Sequence, residues 1–161
     1  MPKIVGIDLG TTNSLVAAVL DGQPTILRDA DGHGIVPSVV SVNDQGDIIV
    51  GRAARENADH KPAETVYSVK RLMGRDSRDV ADLLHRLPYR VMGEPGQAMR
   101  VKVGYQWLTP PQLSAEILKA LKKQAERDEK DQTDRELDFV AAAMTADSLV
   151  TNGWPNPAAL N

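Results

Sequence analysis

A lone carboxylate lies beside a run of hydrogen-bond donors in the segment GIDLGTTNS, residues 6–14. Asp8 is followed, after one leucine, by Gly10, Thr11, Thr12 and Asn13. Glycine permits a positive φ and a close approach of the backbone to a ligand, and successive N–H groups in such a turn can surround an anion. The hydroxyls and the amide add further donors. These residues predict a site for phosphate oxygens.

Asp8 conflicts with this prediction unless a cation is present, because a carboxylate repels phosphate. Mg²⁺ resolves the conflict, since it keeps several waters and is usually held by one or two carboxylates together with phosphates. We expect Asp8 to bind the water shell of the ion. A plain β-hairpin, in which the aspartate and the threonines satisfy the turn, explains the same residues. Short glycine-containing motifs often occur without this function, so the spacing alone leaves both interpretations open.

The strands around this segment follow from the hydrophobic pattern. Apolar residues at 4–9 and 15–20 predict two buried strands that pair as a hairpin across residues 10–13. A second hairpin is predicted between residues 39–42 and 48–50, with its turn at a glycine. Paired strands of this kind would hold the donor-rich residues at one edge of a sheet.

A β-meander is predicted between residues 89 and 107, followed by a long helix. Thr109, Pro110 and Gln112 have the spacing of a capping box with proline at the first helical position. The helix has one apolar face, which should cover a sheet. Its members are Leu113, Ile117, Leu118, Leu121 and Ala125.

Composition excludes several functional classes. The 161 residues carry a net charge of −3, which does not provide the basic surface that non-specific nucleic-acid binding requires. The sequence has no cysteine, so disulfides and thiolate metal sites are excluded and a reducing compartment is favoured. The first ten residues lack the apolar core of a signal peptide, and residues 15–20 are too short a run to cross a bilayer. We expect a cytoplasmic protein that binds neither nucleic acid nor membrane.

Four segments occur in order along the chain: IVGIDLGTTNSLVA, GIVPSVVSV, VKRLMGR and LTPPQLSAEILKALKKQAE. They resemble, in the same order, the first phosphate loop, the Pro-Ser strand, the Lys-Arg-Leu-Met/Ile-Gly-Arg signature and the helix after the β-meander of the seventy-kilodalton heat-shock chaperones of the DnaK type. The resemblance covers about residues 3–127. One departure is His33-Gly34, where the family often has arginine and threonine.

The resemblance implies an α/β protein with the actin-like (ribonuclease H-like) ATPase fold, here as an incomplete first lobe with a small β-meander subdomain. It implies ATP or ADP and Mg²⁺ as ligands. Asp8 would then hold the metal through water, residues 10–13 would contact the phosphates, and Lys70 would act catalytically by reaching the γ-phosphate and the attacking water. Without the resemblance, Lys70 and Arg71 are better explained as two surface bases on a helix, because lysine is mostly exposed.

The family role is ATP-dependent protein folding under stress. The partners that it implies are unfolded polypeptides, a J-domain co-chaperone and a nucleotide exchange factor. Two alternatives remain. One is the start of a sugar kinase of the same superfamily, which shares an Asp-x-Gly-Thr-Thr opening but usually lacks VPSVVS and VKRLMGR. The other is a non-catalytic module that binds full-length chaperones.

The resemblance divides the chain into a partial first lobe, residues 1–127, and a non-matching, poorly ordered tail, residues 128–161. Residues 126–136 contain six acidic and three basic side chains, which predicts a solvated helix extension or a disordered segment. A short helix is predicted within residues 137–150. The family's next apolar strand and its second phosphate loop have no counterpart in the sequence, so we expect the chain alone to be inactive as an ATPase.

Overall fold

The computed structural model describes residues 4–94, 96–132 and 141–144, with only the backbone for residues 129–132 and 141–144. The predicted hairpin is confirmed. Strand β1, Val5–Leu9, pairs antiparallel with β2, Asn13–Leu20, so that Leu9 lies opposite Ser14. Residues 5 and 7 of β1 and residues 14, 16 and 18 of β2 are buried, as expected for a sheet that packs one face against a helix, and Ala17 of β2 is buried as well.

Strand β2 is long enough to hold two further strands side by side. Its second half pairs with β3, Gln23–Ile26, and its first half pairs with β4, Ile35–Pro37. The loop between β3 and β4 contains residues 29–34, as its aspartate and glycine content predicts. Strand β4 therefore lies next to the start of β2, where the donor-rich residues are.

Two smaller antiparallel sheets follow, and both contain the predicted hairpins. Strand β5, Val39–Val42, pairs with β6, Ile48–Val50, and with β7, Val66–Tyr67. The β-meander consists of β8, Val91–Met92, with two longer strands, and the turn between those two lies at Gly104 and Tyr105. These two strands are β9, Arg100–Val103, and β10, Gln106–Leu108.

The short helices occupy the connections. Helix α1, Arg52–Glu56, follows β6, and the 3₁₀ helix Pro62–Glu64 precedes β7. A second 3₁₀ helix, Val69–Leu72, comes directly after β7. Helix α2, Ala81–Leu84, is shorter than the pattern at residues 80–87 predicts. Its last apolar residues pack against the core only partly, so the helix ends after little more than one turn.

The long helix α3, Pro110–Gln132, begins with the predicted capping box. The N–H of Thr109 donates to Gln112 Oε1 at 2.8 Å, and the N–H of Gln112 donates to Thr109 Oγ1 at 3.4 Å. The helix extends to Gln132, so the first part of the charged segment continues α3. Residues 133–136 lie outside the described chain. No helix in the described ranges has both the length and the apolar character needed to span a bilayer.

A short strand follows α3 in the chain. Strand β11, Ala141–Met144, lies parallel to β1, with Val5 opposite Ala141. The helix predicted within residues 137–150 is wrong at these four residues, and so is the expectation that no strand follows α3. Alanine favours helix, but the edge of β1 offers a row of backbone donors and acceptors, and pairing with this edge satisfies both strands. The rest of the predicted helix lies outside the described residues.

Helix α3 joins the main sheet to the second sheet. It contacts β1 and β2 of the main sheet, β5 and β6 of the second sheet, and the Val69–Leu72 helix. Leu113, Ile117, Leu121 and Ala125 are at most 1% exposed, and Leu118 packs at the margin of the core. The predicted apolar face is thus confirmed. Its packing fixes the position of the β1–β2 hairpin relative to the second sheet.

Replacing Leu121 with alanine should lower the free energy of unfolding by about 2–5 kcal/mol, because it removes a fully buried side chain from the apolar face of α3. Urea unfolding followed by circular dichroism would measure the loss. Lys123→Ala is the control, since this residue is exposed on the same helix and should change stability by less than about 0.5 kcal/mol. Equal stabilities of the two variants would contradict the conclusion that the apolar face of α3 packs in the core.

Candidate functional site

The turn between β1 and β2 presents the donor-rich residues at the sheet edge. Thr11 is partly buried, whereas Thr12 and Asn13 are exposed. Gly10 does not have a positive φ, so it does not use the left-handed conformation that glycine permits. Glycine is needed there for a different reason, because a Cβ on Gly10 would overlap the carbonyl oxygen of Asn13. The turn closes so tightly that only hydrogen fits.

Asp8 lies within β1, opposite Leu15 of β2. Its Oδ1 is buried and accepts no hydrogen bond from any residue that the structure describes. A buried carboxylate oxygen without a donor is costly, and a hydrated cation is one of the few groups that can offset this cost. The donor set of one carboxylate oxygen beside an anion-binding turn fits Mg²⁺, whose remaining ligands are typically water and phosphate.

Lys70 reaches this turn from the 3₁₀ helix Val69–Leu72. Its Nζ donates to the carbonyl oxygen of Leu9 at 2.9 Å, although the two residues are 61 positions apart. Ser68, just before the helix, has a left-handed φ of 55° and turns the chain out of β7. Lys70 is partly buried, so the interpretation as a surface base is wrong for it, while Arg71 is exposed.

The structure therefore brings every predicted site residue to the end of β1. Asp8 lies one residue before Leu9, residues 10–13 lie directly after it, and Lys70 binds its carbonyl. An ammonium group has three donors. Lys70 can keep its bond to Leu9 and still offer two donors to a ligand, and its charge offsets that of Asp8. The arrangement can hold a polyanion together with a divalent cation.

A groove of about 200 Å³ opens beside the turn. It is lined by Thr11, Thr12, Val39, Arg55, Ala58, Tyr67 and Ser68. A wider groove of about 710 Å³ adjoins it, lined in part by Asn13 and Arg55. Arg55, on α1, lines both grooves, so a second cation lies close to the turn. Sequence reasoning did not single out Arg55, because one more arginine on a short helix carries no distinct signal.

Tyr89 packs against Tyr67, which lines this groove, and also binds its backbone. The Tyr89 hydroxyl donates to the carbonyl oxygen of Tyr67 at 2.6 Å, and the rings meet edge to face with centroids 5.7 Å apart. Burial raises the pKa of the Tyr89 phenol, so it remains a donor throughout the physiological range. Neither tyrosine was predicted at the site.

Sequence reasoning also missed two buried serines beside the turn. Ser14 and Ser38 are 1% and 2% exposed, and their hydroxyl oxygens lie 2.8 Å apart. Ser38 Oγ donates to the carbonyl oxygen of Gly10 at 2.9 Å. The signal was present in VPSVVS, since a serine between apolar strand residues is buried and needs a partner.

His33 and Asp29 lie in the loop after β3 and do not belong to this turn. Asp29 Oδ1 accepts the N–H groups of Asp31 and His33 at 3.0 and 2.7 Å. Burial opposes ionisation of Asp29, but these N–H bonds and the His33 ring outweigh it and lower its pKa. His33 Nδ1 lies 3.3 Å from the same oxygen. The loop is held by its own hydrogen bonds, which accounts for the grouping of these side chains.

The comparison with known protein families agrees with this geometry. The family model described as Hsp70 protein matches residues 4–137, which is more than half of the chain and extends past residue 127, where the resemblance noted in the sequence ends. Proteins of this family are chaperones that bind ATP or ADP with Mg²⁺, and their nucleotide-binding part has the actin-like ATPase fold. The mixed α/β sheets of the described residues, with the phosphate-loop residues, Asp8 and Lys70 at one edge, are those of an ATPase domain of this kind, and the chain belongs to the Hsp70 family.

Proposed function

We propose that this chain binds the phosphates of ATP or ADP together with Mg²⁺ at the turn between β1 and β2. The observation that carries the proposal is the bond from Lys70 Nζ to the Leu9 carbonyl at 2.9 Å. It brings a cation to the end of β1 from a distant part of the chain. A simple hairpin needs no such lysine, because its turn is already satisfied by its own backbone.

The proposed roles follow from what each group offers. The N–H groups and side chains of residues 10–13 bind phosphate oxygens, and Lys70 neutralises the charge of the terminal phosphate. Asp8 holds a water of the metal ion through its buried Oδ1. When bound, Mg²⁺ would neutralise negative charge on the phosphates. Arg55, which lines both grooves beside the turn, adds positive potential where the anion enters.

Among the partners of the family, we assign the groove of the described residues to the nucleotide. Unfolded polypeptides and co-chaperones are partners of the family in general. The proposed setting is the cytoplasm, in keeping with a sequence without cysteine.

Replacing Lys70 with alanine should weaken Mg·ATP binding about tenfold or more, since a hydrogen bond to a charged group contributes about 1.5–3 kcal/mol and each decade corresponds to about 1.4 kcal/mol. Arg71→Ala is the matched control, because Arg71 is the exposed neighbour on the same 3₁₀ helix. Nuclear magnetic resonance titrations of the ¹⁵N-labelled chain, carried to nucleotide concentrations well above the wild-type dissociation constant, would measure both. Equal weakening by the two variants would point to charge in general and reject the site.

Asp8→Asn tests the metal separately. The wild-type chain should bind ADP more tightly with Mg²⁺ than with EDTA, and Asp8→Asn should abolish that difference. Magnesium dependence that survives in Asp8→Asn would remove Asp8 from the proposed site.

A further inference from the structure

Ser38 links the Pro-Ser strand to the phosphate-binding turn by two separate bonds. It lies between β4 and β5, 28 positions from Gly10. Its Oγ donates to the Gly10 carbonyl oxygen at 2.9 Å, and its backbone N–H donates to the Thr12 carbonyl oxygen at 2.9 Å. One residue therefore holds two of the carbonyl groups within the turn.

The direction of the hydroxyl bonds can be assigned from the donor count. A serine hydroxyl has a single hydrogen. Since Ser38 uses its hydrogen on Gly10, the 2.8 Å contact between the two serines is a bond donated by Ser14 to Ser38. Two buried hydroxyls thus form a chain, Ser14 to Ser38 to Gly10. Hydrogen bonds in such a chain polarise one another, which strengthens the bond to the turn.

By binding these two carbonyl groups, Ser38 also fixes the direction of the neighbouring N–H groups that would bind phosphate. In a trans peptide the C=O and the N–H point in opposite directions. The Gly10 carbonyl faces Ser38, so the Thr11 N–H faces the opposite side, and by the same geometry the Asn13 N–H is opposite the Thr12 carbonyl. Neither donor can turn inward without breaking a bond to Ser38.

We propose that Ser38 is the positioning residue of the phosphate-binding turn, acting through the Gly10 and Thr12 carbonyls. It touches neither the nucleotide nor the metal in this scheme. The proposal rests on the proposed function, because it assigns to Ser38 the preorganisation of that binding site. Donors fixed in advance bind an anion without the cost of ordering them at the moment of binding.

A matched control exists three residues away. Ser41 is likewise fully buried, and its hydroxyl lies 3.1 Å from Thr65 Oγ1, away from the turn. Removing either hydroxyl deletes two hydrogen bonds, since Ser38 binds Gly10 and Ser14 whereas Ser41 binds Thr65 and Asn57. Only Ser38→Ala should affect the turn, so the pair separates positioning from a general loss of stability.

The test uses the whole 161-residue chain as wild type, Ser38→Ala, Ser41→Ala and Ser38→Cys. The rigidity of the Thr11 and Asn13 N–H groups is measured without ligand by their ¹⁵N relaxation order parameters, and Mg·ADP binding is measured by titration. Ser38→Ala should lower the order parameters of both N–H groups and weaken binding about tenfold, the effect of one hydrogen bond of roughly 1.4 kcal/mol. Ser38→Cys, a weaker donor of similar size, should give intermediate values and replaces Ser38→Ala if that variant does not fold. Ser41→Ala should lower the melting temperature without either change.

The outcomes are distinguishable from failure of the proposed function. Wild-type order parameters at Thr11 and Asn13 together with wild-type binding in Ser38→Ala would overturn the positioning role. Equal effects of Ser38→Ala and Ser41→Ala on the two amides would overturn it as well. If no variant, including the wild type, binds Mg·ADP but Ser38→Ala alone lowers the order parameters at Thr11 and Asn13, the nucleotide function is rejected and the hold of Ser38 on the turn is supported.

Discussion

The 161-residue chain on its own should release no phosphate from ATP above the spontaneous rate. Hydrolysis requires the terminal phosphate, Mg²⁺ and a water held together, because most of the acceleration comes from positioning and charge stabilisation. The chain supplies Asp8, the turn at residues 10–13 and Lys70 at the end of β1. Lys70 neutralises charge but, being a donor only, it cannot take a proton from the attacking water while it is charged.

Steady-state phosphate release from the purified chain, measured beside its Lys70→Ala variant, is the appropriate experiment. Equal background rates are expected. Turnover that is measurable in the wild type and abolished in Lys70→Ala would contradict the prediction. It would mean that the 161 residues contain a base that aligns water, which we have not identified among the described residues.

The second large effect concerns affinity. We expect Mg·ATP to bind with a dissociation constant in the millimolar range or weaker, more than a thousandfold above that of a two-lobed member of the family. The groove beside the turn is bounded by residues of β5, α1 and β7, and the described chain places nothing on its outer side. Losing about three hydrogen bonds to charged groups costs roughly 5–9 kcal/mol, which corresponds to more than three decades at about 1.4 kcal/mol each.

Calorimetry at high protein concentration, supported by ³¹P chemical shifts of the nucleotide, would measure this affinity. Asp8→Ala and Thr11→Ala should reduce it further, because each removes a group from the turn or its metal position. A micromolar dissociation constant for the wild type would contradict the prediction. It would show that the groove made by these residues is sufficient for tight binding.

Much of the site could be predicted from the sequence. The donors at residues 10–13 and the carboxylate at Asp8 are contiguous, so a single hairpin places them together. Lys70 was predicted only through the resemblance to a family, since nothing local to VKRLMGR indicates contact with β1. Its location at the Leu9 carbonyl depends on α3, which packs the Val69–Leu72 helix against the main sheet.

Other features depend on contacts between distant segments. The bonds of Ser38 join residues 28 and 26 positions apart, and those from Tyr89 to Tyr67 span 22. No local pattern specifies such pairs, because a buried hydroxyl needs a partner but does not say which one. The overlap that a Cβ at position 10 would make with the Asn13 carbonyl oxygen could not be predicted either, since this close approach arises only once the turn is built.

The sequence by itself determined the local elements: the hairpin, the capping box that starts α3, and the apolar face of that helix. These follow from side-chain period and local hydrogen bonding, which act over a few residues. Only the tertiary structure decided that Ala141–Met144 is a strand, that Lys70 donates to Leu9, and that Ser38 holds the turn. Each of these depends on which donors and acceptors lie close together in the folded chain. A buried donor or acceptor without a partner destabilises the fold, so these groups pair with one another.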